Sequence, residues 1–202
     1  SALWANTSGS NNTATGSFAL YNNTSGSGNA SYGDHALYSN TSGLRNTALG
    51  RNALFTNTKG THNTAIGFSA DVSLKNLTNT TALGYNAKVD ASNKVRVGNT
   101  AITVIEGQVP WTSTSDKRLK NNINDLPLGL DFIAKLHPVE YIRSNNSAKT
   151  KEWGIIAQEL QQTLKEVNYK DAGIVTEDTS AEKYMAVRYN DLLAPMIKAI
   201  QE

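Results

Sequence analysis

Apolar positions in the first hundred residues recur in fixed columns 17 apart rather than along a helical stripe. "NTATG" at 12–16 returns as "NASYG" at 29–33, "NTALG" at 46–50 and "NTAIG" at 63–67, and "TTALG" at 80–84 keeps the phase. Gly16, Gly33, Gly50, Gly67 and Gly84 form one column; Ala2, Ala19, Ala36, Ala53, Ala70 and Ala87 form a second. Leu3, Leu20, Leu37 and Leu54 follow, then Trp4, Tyr21, Tyr38, Phe55, Val72 and Val89. Polar columns run beside them: Asn6, Asn23, Asn40 and Asn57, then Thr7, Thr24, Thr41 and Thr58, then Gly9, Gly26, Gly43 and Gly60. A period of 17 is too short for a helix-turn-helix repeat, and the Gly and β-branched content disfavours helix. Each unit predicts one coil of a parallel β-solenoid: a short strand, a Gly-permitted turn, a second short strand and another turn. Five coils at ~4.8 Å make a rod of ~24 Å, with small side chains inside and stacked Asn amides forming ladders. Leu74 and Lys75 break the Asn-Thr pair, so the repeat ends there; "NKVRVGN" at 93–99 and "AITVIEG" at 101–107 carry β patterning onward.

A coil of this size buries little apolar surface, since its alanines contribute far less than the ~1.5–3 kcal/mol of a large buried side chain. The aromatic-to-valine column is therefore expected to face a neighbouring chain. Three chains around an axis would cover that column and leave few free edges. A self-sufficient monomeric solenoid is the alternative.

From Ser113 the pattern becomes α+β. "SDKRLKNNI" predicts a short helix with Ser115 as N-cap and Asp116 in the first turn. "LPLGLDFIAKL" at 126–136 puts Leu130, Ile133 and Leu136 on a helical face that Pro138 ends. "VEYIRS" at 139–144 alternates like a strand. "EWGIIAQELQQTLKEV" at 152–167 predicts a helix with an Ile156, Leu160, Leu164, Val167 stripe. "AGIVTE" and "KYMAVRY" predict a strand pair. "NDLLAPMIKAIQE" predicts a short amphipathic helix carrying Leu192, Leu193, Met196, Ile197 and Ile200, with Pro195 tolerated near its start.

Composition sharpens this border. Residues 1–112 hold 7 Lys/Arg, 4 Asp/Glu and 12 of the 15 Gly, whereas 113–202 hold 12 Lys/Arg, 13 Asp/Glu and 3 Gly. The predicted layout is a β-solenoid shaft at 1–100, a β-rich connector at 101–112 and a mixed α+β domain at 113–202. A net charge of +2 gives no global field for nucleic acid or an anionic membrane. Without cysteine there are no disulfides or thiolate metal sites. No apolar run approaches the ~20 residues of a membrane span.

The "GxxNTAxGxxAL" units, over residues 2–100, resemble the coils of trimeric bacterial adhesin heads and phage tail-fibre shafts. The Ser-Asp-x-x-x-Lys start, the "GIIAQEL" helix and the closing "AVRYNDLLAPMIKAIQE" resemble the self-cleaving intramolecular chaperone domain of phage tailspikes, tail fibres and endosialidases, with a relative in the myelin regulatory factor. That likeness covers 113–202. It implies a serine peptidase acting once on its own chain, with Ser115 as nucleophile and Lys120, five residues on, as base. A serine hydroxyl needs such a base within hydrogen-bond reach, and a free lysine of pKa ~10.4 is protonated. Burial against a second chain, or the nearby cations Lys117 and Arg118, would lower it. The cut is expected beside Ser115, at Thr114–Ser115 or Ser115–Asp116. By spacing alone, Ser115 and Lys120 are a capping serine and a solvated lysine.

His35 and His62 fall in different repeat phases and His137 precedes Pro138, so neither a metal nor a cofactor is expected. The Asn-x-Thr sequons follow from the Asn/Thr columns, and "SDKRLK" is too short a basic run to imply nucleic acid. The expected protein is a homotrimeric virion tail-fibre segment, or a bacterial-surface or secreted relative, meeting a host receptor or glycan through its shaft. Early C-terminal trimerisation would raise the local concentration of three slow-folding β-chains, and later release would make unfolding irreversible. The alternatives are a non-cleaving adhesin with a permanent trimer cap and a DNA-binding regulator released by the same domain.

Overall fold

The computed structural model describes residues 1–146, 149–169, 173–178 and 183–202, and it divides into two compact units, Ser1–Ile102 and Thr103–Glu202. The first unit is a parallel β-solenoid. Strands β1 (Thr13–Thr15), β2 (Ala30–Tyr32), β3 (Thr47–Leu49) and β4 (Thr64–Ile66) stack in register at intervals of 17 residues. β5 (Asp71–Val72) belongs to a small second sheet; β6 (Thr81–Leu83) continues the first, β7 (Lys88–Val89) pairs with β5, and β8 (Val95–Val97) closes the six-stranded stack. Thr81 pairs with Val95, so the final coil is 14 residues long.

A second strand in every coil is not what forms. Leu20, Leu37 and Leu54 have φ of 50°, 51° and 50°, a left-handed conformation that extended chain does not allow. That conformation costs a non-glycine residue roughly 1–2 kcal/mol, and the full burial of each leucine offsets it by roughly 1.5–3 kcal/mol. Asp71 and Lys88 occupy the same column without positive φ, and there the chain extends into β5 and β7.

Two internal amide ladders hold the coils together. Asn23, Asn40 and Asn57 each donate Nδ2 to the Oδ1 of the Asn one coil before, at 2.8, 2.8 and 2.9 Å. A second ladder, Asn12–Asn29–Asn46–Asn63, ends where the Thr80 hydroxyl takes the place of an amide on Asn63 Oδ1, at 2.8 Å. Both ladders grip one carbonyl per coil: Gly26 O accepts from Asn12 and Asn23, Gly43 O from Asn29 and Asn40. The coils approach closely here, since a Cβ on Gly26 would lie 2.5 Å from Gly43 O.

The aromatic column splits. Trp4, Tyr21, Tyr38 and Phe55 stack face to face on the outside, with centroid spacings of 5.3, 5.7 and 5.3 Å. Val72 and Val89 turn into their own coils and are buried, so only the aromatic part offers a surface to anything else. In β2, β3, β4 and β6 the middle residue is buried, and the third-position column leaves Tyr32, Leu49, Ile66 and Val97 exposed, with Leu83 half-buried among them.

In the second unit, α1 (Leu130–Ile133) is one turn long and buries Phe132; Ile133 and Leu136 of the expected face pack against the core, while Leu130 is exposed. β9 (Pro138–Tyr141) pairs antiparallel with β10 (Glu152–Ile155). α2 (Ala157–Glu166) therefore starts five residues later than the periodicity suggests. Gly154 admits the Tyr189 hydroxyl where a Cβ would clash, and Ile156 keeps an extended backbone before the helix. β11 (Val175–Glu177) and β12 (Met185–Val187) form a hairpin-like pair, as the alternation suggested. A short 3-10 turn at Tyr189–Leu192 leads into α3 (Leu193–Gln201), with Pro195 in its first turn, where no intrahelical amide is needed. Leu128, Phe132, Leu160, Leu164, Ile174 and Leu192 form the core. The run 101–107 forms no strand. No helix among the described residues is long and apolar enough to cross a membrane.

Candidate functional site

Ser115 and Lys120 flank a single 3-10 turn, Lys117–Leu119. Asp116 caps it: its Oδ1 accepts the Arg118 backbone N–H at 2.8 Å. The Arg118 guanidinium then forks onto the same carboxylate, with Nε 3.1 Å from Oδ1 and Nη2 2.7 Å from Oδ2. The Lys120 N–H closes the turn on Lys117 O at 3.1 Å. Ser115 is thus not the cap, because the longer-reaching carboxylate one residue on satisfies the turn. Its hydroxyl is left for Lys120, whose Nζ donates to Ser115 Oγ at 2.6 Å.

Both side chains are exposed in the single chain. The Arg118 guanidinium and its backbone N–H hold the Asp116 carboxyl below the usual carboxylate range, and the carboxylate in turn raises the Arg118 pKa. The turn is thereby a charged clip with a hydroxyl and an amine at its two ends. An amine takes a proton from a hydroxyl only in its neutral form, which a dry environment favours.

Just upstream, Ser113 borders a hollow of about 590 Å³ lined by Arg188, Tyr189, Asn190 and Asp191. Arg188 donates Nε to Asp191 Oδ2 at 2.8 Å and also reaches it through Nη2. The Tyr189 hydroxyl accepts from Ile155 N–H at 3.2 Å, tying that turn to β10. Sequence reasoning did not bring Arg188 to this segment, since 73 residues separate it from Ser115 and no periodicity links them. The Asp116–Arg118 fork was also missed; an acid and an arginine two apart beside a short turn is its only local signal.

Thr114 and Asp116, the outer members of the expected cleavage site, flank Ser115 directly. The histidines lie elsewhere in separate polar pairs: His35 with Asp34 at 2.8 Å, His62 with Arg45 at 3.3 Å, His137 with Glu159 at 3.1 Å. Among the described residues no group of three metal-ligating side chains occurs.

Residues 115–169 match the family model described as chaperone of endosialidase, of the S74 peptidases. The match begins at Ser115 and takes in the 3-10 turn, α1, β9, β10 and α2. No curated protein and no solved structure matches the chain. The match covers about a quarter of the chain and lies C-terminal in sequence to the solenoid of 17-residue coils.

Proposed function

We propose that the C-terminal unit assembles three chains, sets the register of their solenoids, and then severs itself from the shaft at Ser115. The observation that carries this reading is the 2.6 Å contact between Lys120 Nζ and Ser115 Oγ at the first residue of the family match. Support for assembly comes from unpaired apolar surface in both units. The row Tyr32, Leu49, Ile66 and Val97 is exposed along the solenoid, and Leu193, Met196, Ile197 and Ile200 are exposed on α3. Clusters of this kind are what an obligate partner covers. The setting in this reading is a phage tail fibre or a comparable surface fibre.

Chemistry selects the bond. Attack of Ser115 Oγ on its own carbonyl would close a strained four-membered ring, whereas attack on the Thr114 carbonyl closes a five-membered one. In the second case the Oγ proton passes to neutral Lys120, the new C–O bond forms, and the Thr114–Ser115 C–N bond breaks as Lys120 returns the proton to the Ser115 nitrogen. Water then hydrolyses the ester, leaving Thr114 as a carboxylate and Ser115 as a new amino terminus. Lys120 is competent only when desolvated, so assembly that buries it is the timing device.

The test is intact mass and native oligomer mass of the freshly made wild type beside Ser115→Ala. The proposal expects wild-type fragments meeting at Thr114–Ser115 and a whole, trimeric variant. If both stay whole as trimers, the permanent-cap reading replaces it.

A further inference from the structure

Three columns of the solenoid change character over two successive steps, one between the third and fourth coils and two between the fourth and fifth, and a hollow lies where they do. The leucine column passes from Leu54 to Asp71 and Lys88. The outer aromatic column ends at Phe55, because Val72 turns inward. A third column, in left-handed backbone throughout, passes from Phe18 and His35 to Asn52, Ser69 and Asn86. In the first coils Phe18 and His35 pack on the aromatic stack, with centroids 5.2 Å from Tyr21 and 5.2 Å from Tyr38 respectively, and His35 borders the hollow. Where the small polar residues take over, a cavity of about 520 Å³ remains, within the roughly 300–1,000 Å³ of small-ligand sites.

The lining is unusual for this chain. The buried asparagines of the solenoid are bonded into ladders, whereas Asn52 is half-buried and Asn86 is exposed. Among the described residues, the side chains of Asn52, Ser69, Asn86 and Lys88 make no hydrogen bond at all. Arg51 donates Nε to Asp34 at 3.2 Å and lays its guanidinium 5.8 Å from the Phe68 ring centroid, and its two Nη nitrogens make no hydrogen bond among the described residues. Phe55 is covered by Tyr38 on one face at 5.3 Å and 3°, while the position that would cover its other face holds the inward-turned Val72. At the base, the Asp71 carboxylate is already engaged by Thr56 N–H and hydroxyl and by Val72 N–H.

An open aromatic face, two amides and a hydroxyl, and two cations with spare donors suit one ligand chemistry. The ring face accepts the C–H side of a pyranose, the amides meet its hydroxyls, and Arg51 with Lys88 meet a carboxylate. We propose that this hollow binds an acidic saccharide, one pyranose seated against Phe55 with its carboxylate toward Arg51 and Lys88. The site belongs to the shaft and stands whether or not the C-terminal unit cuts itself.

The test is ligand-observed saturation-transfer NMR and calorimetry on the full chain, with trigalacturonate as the acidic probe and maltotriose as the neutral one. Expected is binding of trigalacturonate and not of maltotriose. Arg51→Gln with Lys88→Gln should weaken it about tenfold or more, and Phe55→Leu, which keeps bulk but removes the ring face, should weaken it as well. Tyr21→Leu, in the same column with both faces covered, should leave it unchanged. Equal binding of both probes overturns the assignment to acidic sugars. Unchanged affinity in the Phe55 and Arg51/Lys88 variants, or no binding of trigalacturonate by the assembled wild type, overturns the site.

Discussion

Arg118 grips Asp116 through two guanidinium nitrogens, at 3.1 and 2.7 Å, and the turn they close carries Lys120 to 2.6 Å from Ser115. The pair touches neither Ser115 Oγ nor Lys120 Nζ, the atoms that react in the proposed cleavage; it holds the turn between them. Arg118→Gln keeps the backbone N–H that Asp116 caps but removes the fork. Self-cleavage is expected to slow by about ten- to a hundredfold, in line with small misplacements of reacting groups, while trimer mass stays that of Ser115→Ala. Arg118→Lys should restore little, because an ammonium cannot form the planar double contact. A cleavage time course by mass spectrometry that matches wild type in both variants would show that the turn forms without the fork.

The interior of the solenoid makes a sharper stability forecast. Asn40 Nδ2 donates to Asn23 Oδ1 and Gly43 O, while its Oδ1 accepts from Asn57, all in buried surroundings. Asn40→Ala strands at least two of those groups, at roughly 1–3 kcal/mol each. Asn6 sits on the exposed end rung of the same ladder, donating to Gly9 O. Asn6→Ala is expected to cost well under half as much in denaturant melts of a Ser115→Ala background. Equal losses at the two positions would mean the ladder is not a cooperative interior element.

The coil period was legible because the repeat exposes its own spacing: Asn23, Asn40 and Asn57 fall in one column and stack as a column. What the pattern hid was conformation within the coil. Leu20, Leu37 and Leu54 look like strand residues, yet their backbone is left-handed, and only the stacked neighbours above and below make that tolerable. Helix α2 was visible through Leu160 and Leu164, but its beginning was not, since Glu152–Ile155 is a strand only because β9 lies beside it. Of the site, Ser115 and Lys120 came from a resemblance rather than from spacing. The fork that brings them together, and the nearness of Arg188 to Ser113, depend on side-chain reach and long-range packing that no periodicity records.

Coil spacing is set by contact as well as by hydrogen bonds. A Cβ on Gly43 would stand 2.5 Å from Gly60 O and 2.3 Å from Asn40 Oδ1, striking backbone and ladder together. Gly43→Ala must push two coils apart and is expected to lower the solenoid's melting point by many degrees or prevent folding. Gly107→Ala, whose nearest neighbour would be 3.7 Å away, is the matched control and should be silent in the same melt. Similar melts for both variants would show that the stack is looser than its backbone contacts indicate.

Asp71 provides a pH signature of the coil where the leucine column ends. Its burial raises the carboxyl pKa above 3.8, against the opposing hydrogen bonds from Thr56 and Val72 and the attraction of Lys88. The folded chain therefore holds the Asp71 proton more tightly than the unfolded chain does. The stability this contributes is complete below the unfolded value and is lost as pH rises through the higher folded value. Asp71→Asn has no such titration, and every other carboxylate is common to both proteins. The wild-type melting point minus that of Asp71→Asn is thus expected to shrink as pH goes from about 3 to about 6. A difference that widens over the same range would mean that the three donors on the carboxylate outweigh its desolvation, and that Asp71 is held as an anion in the fold.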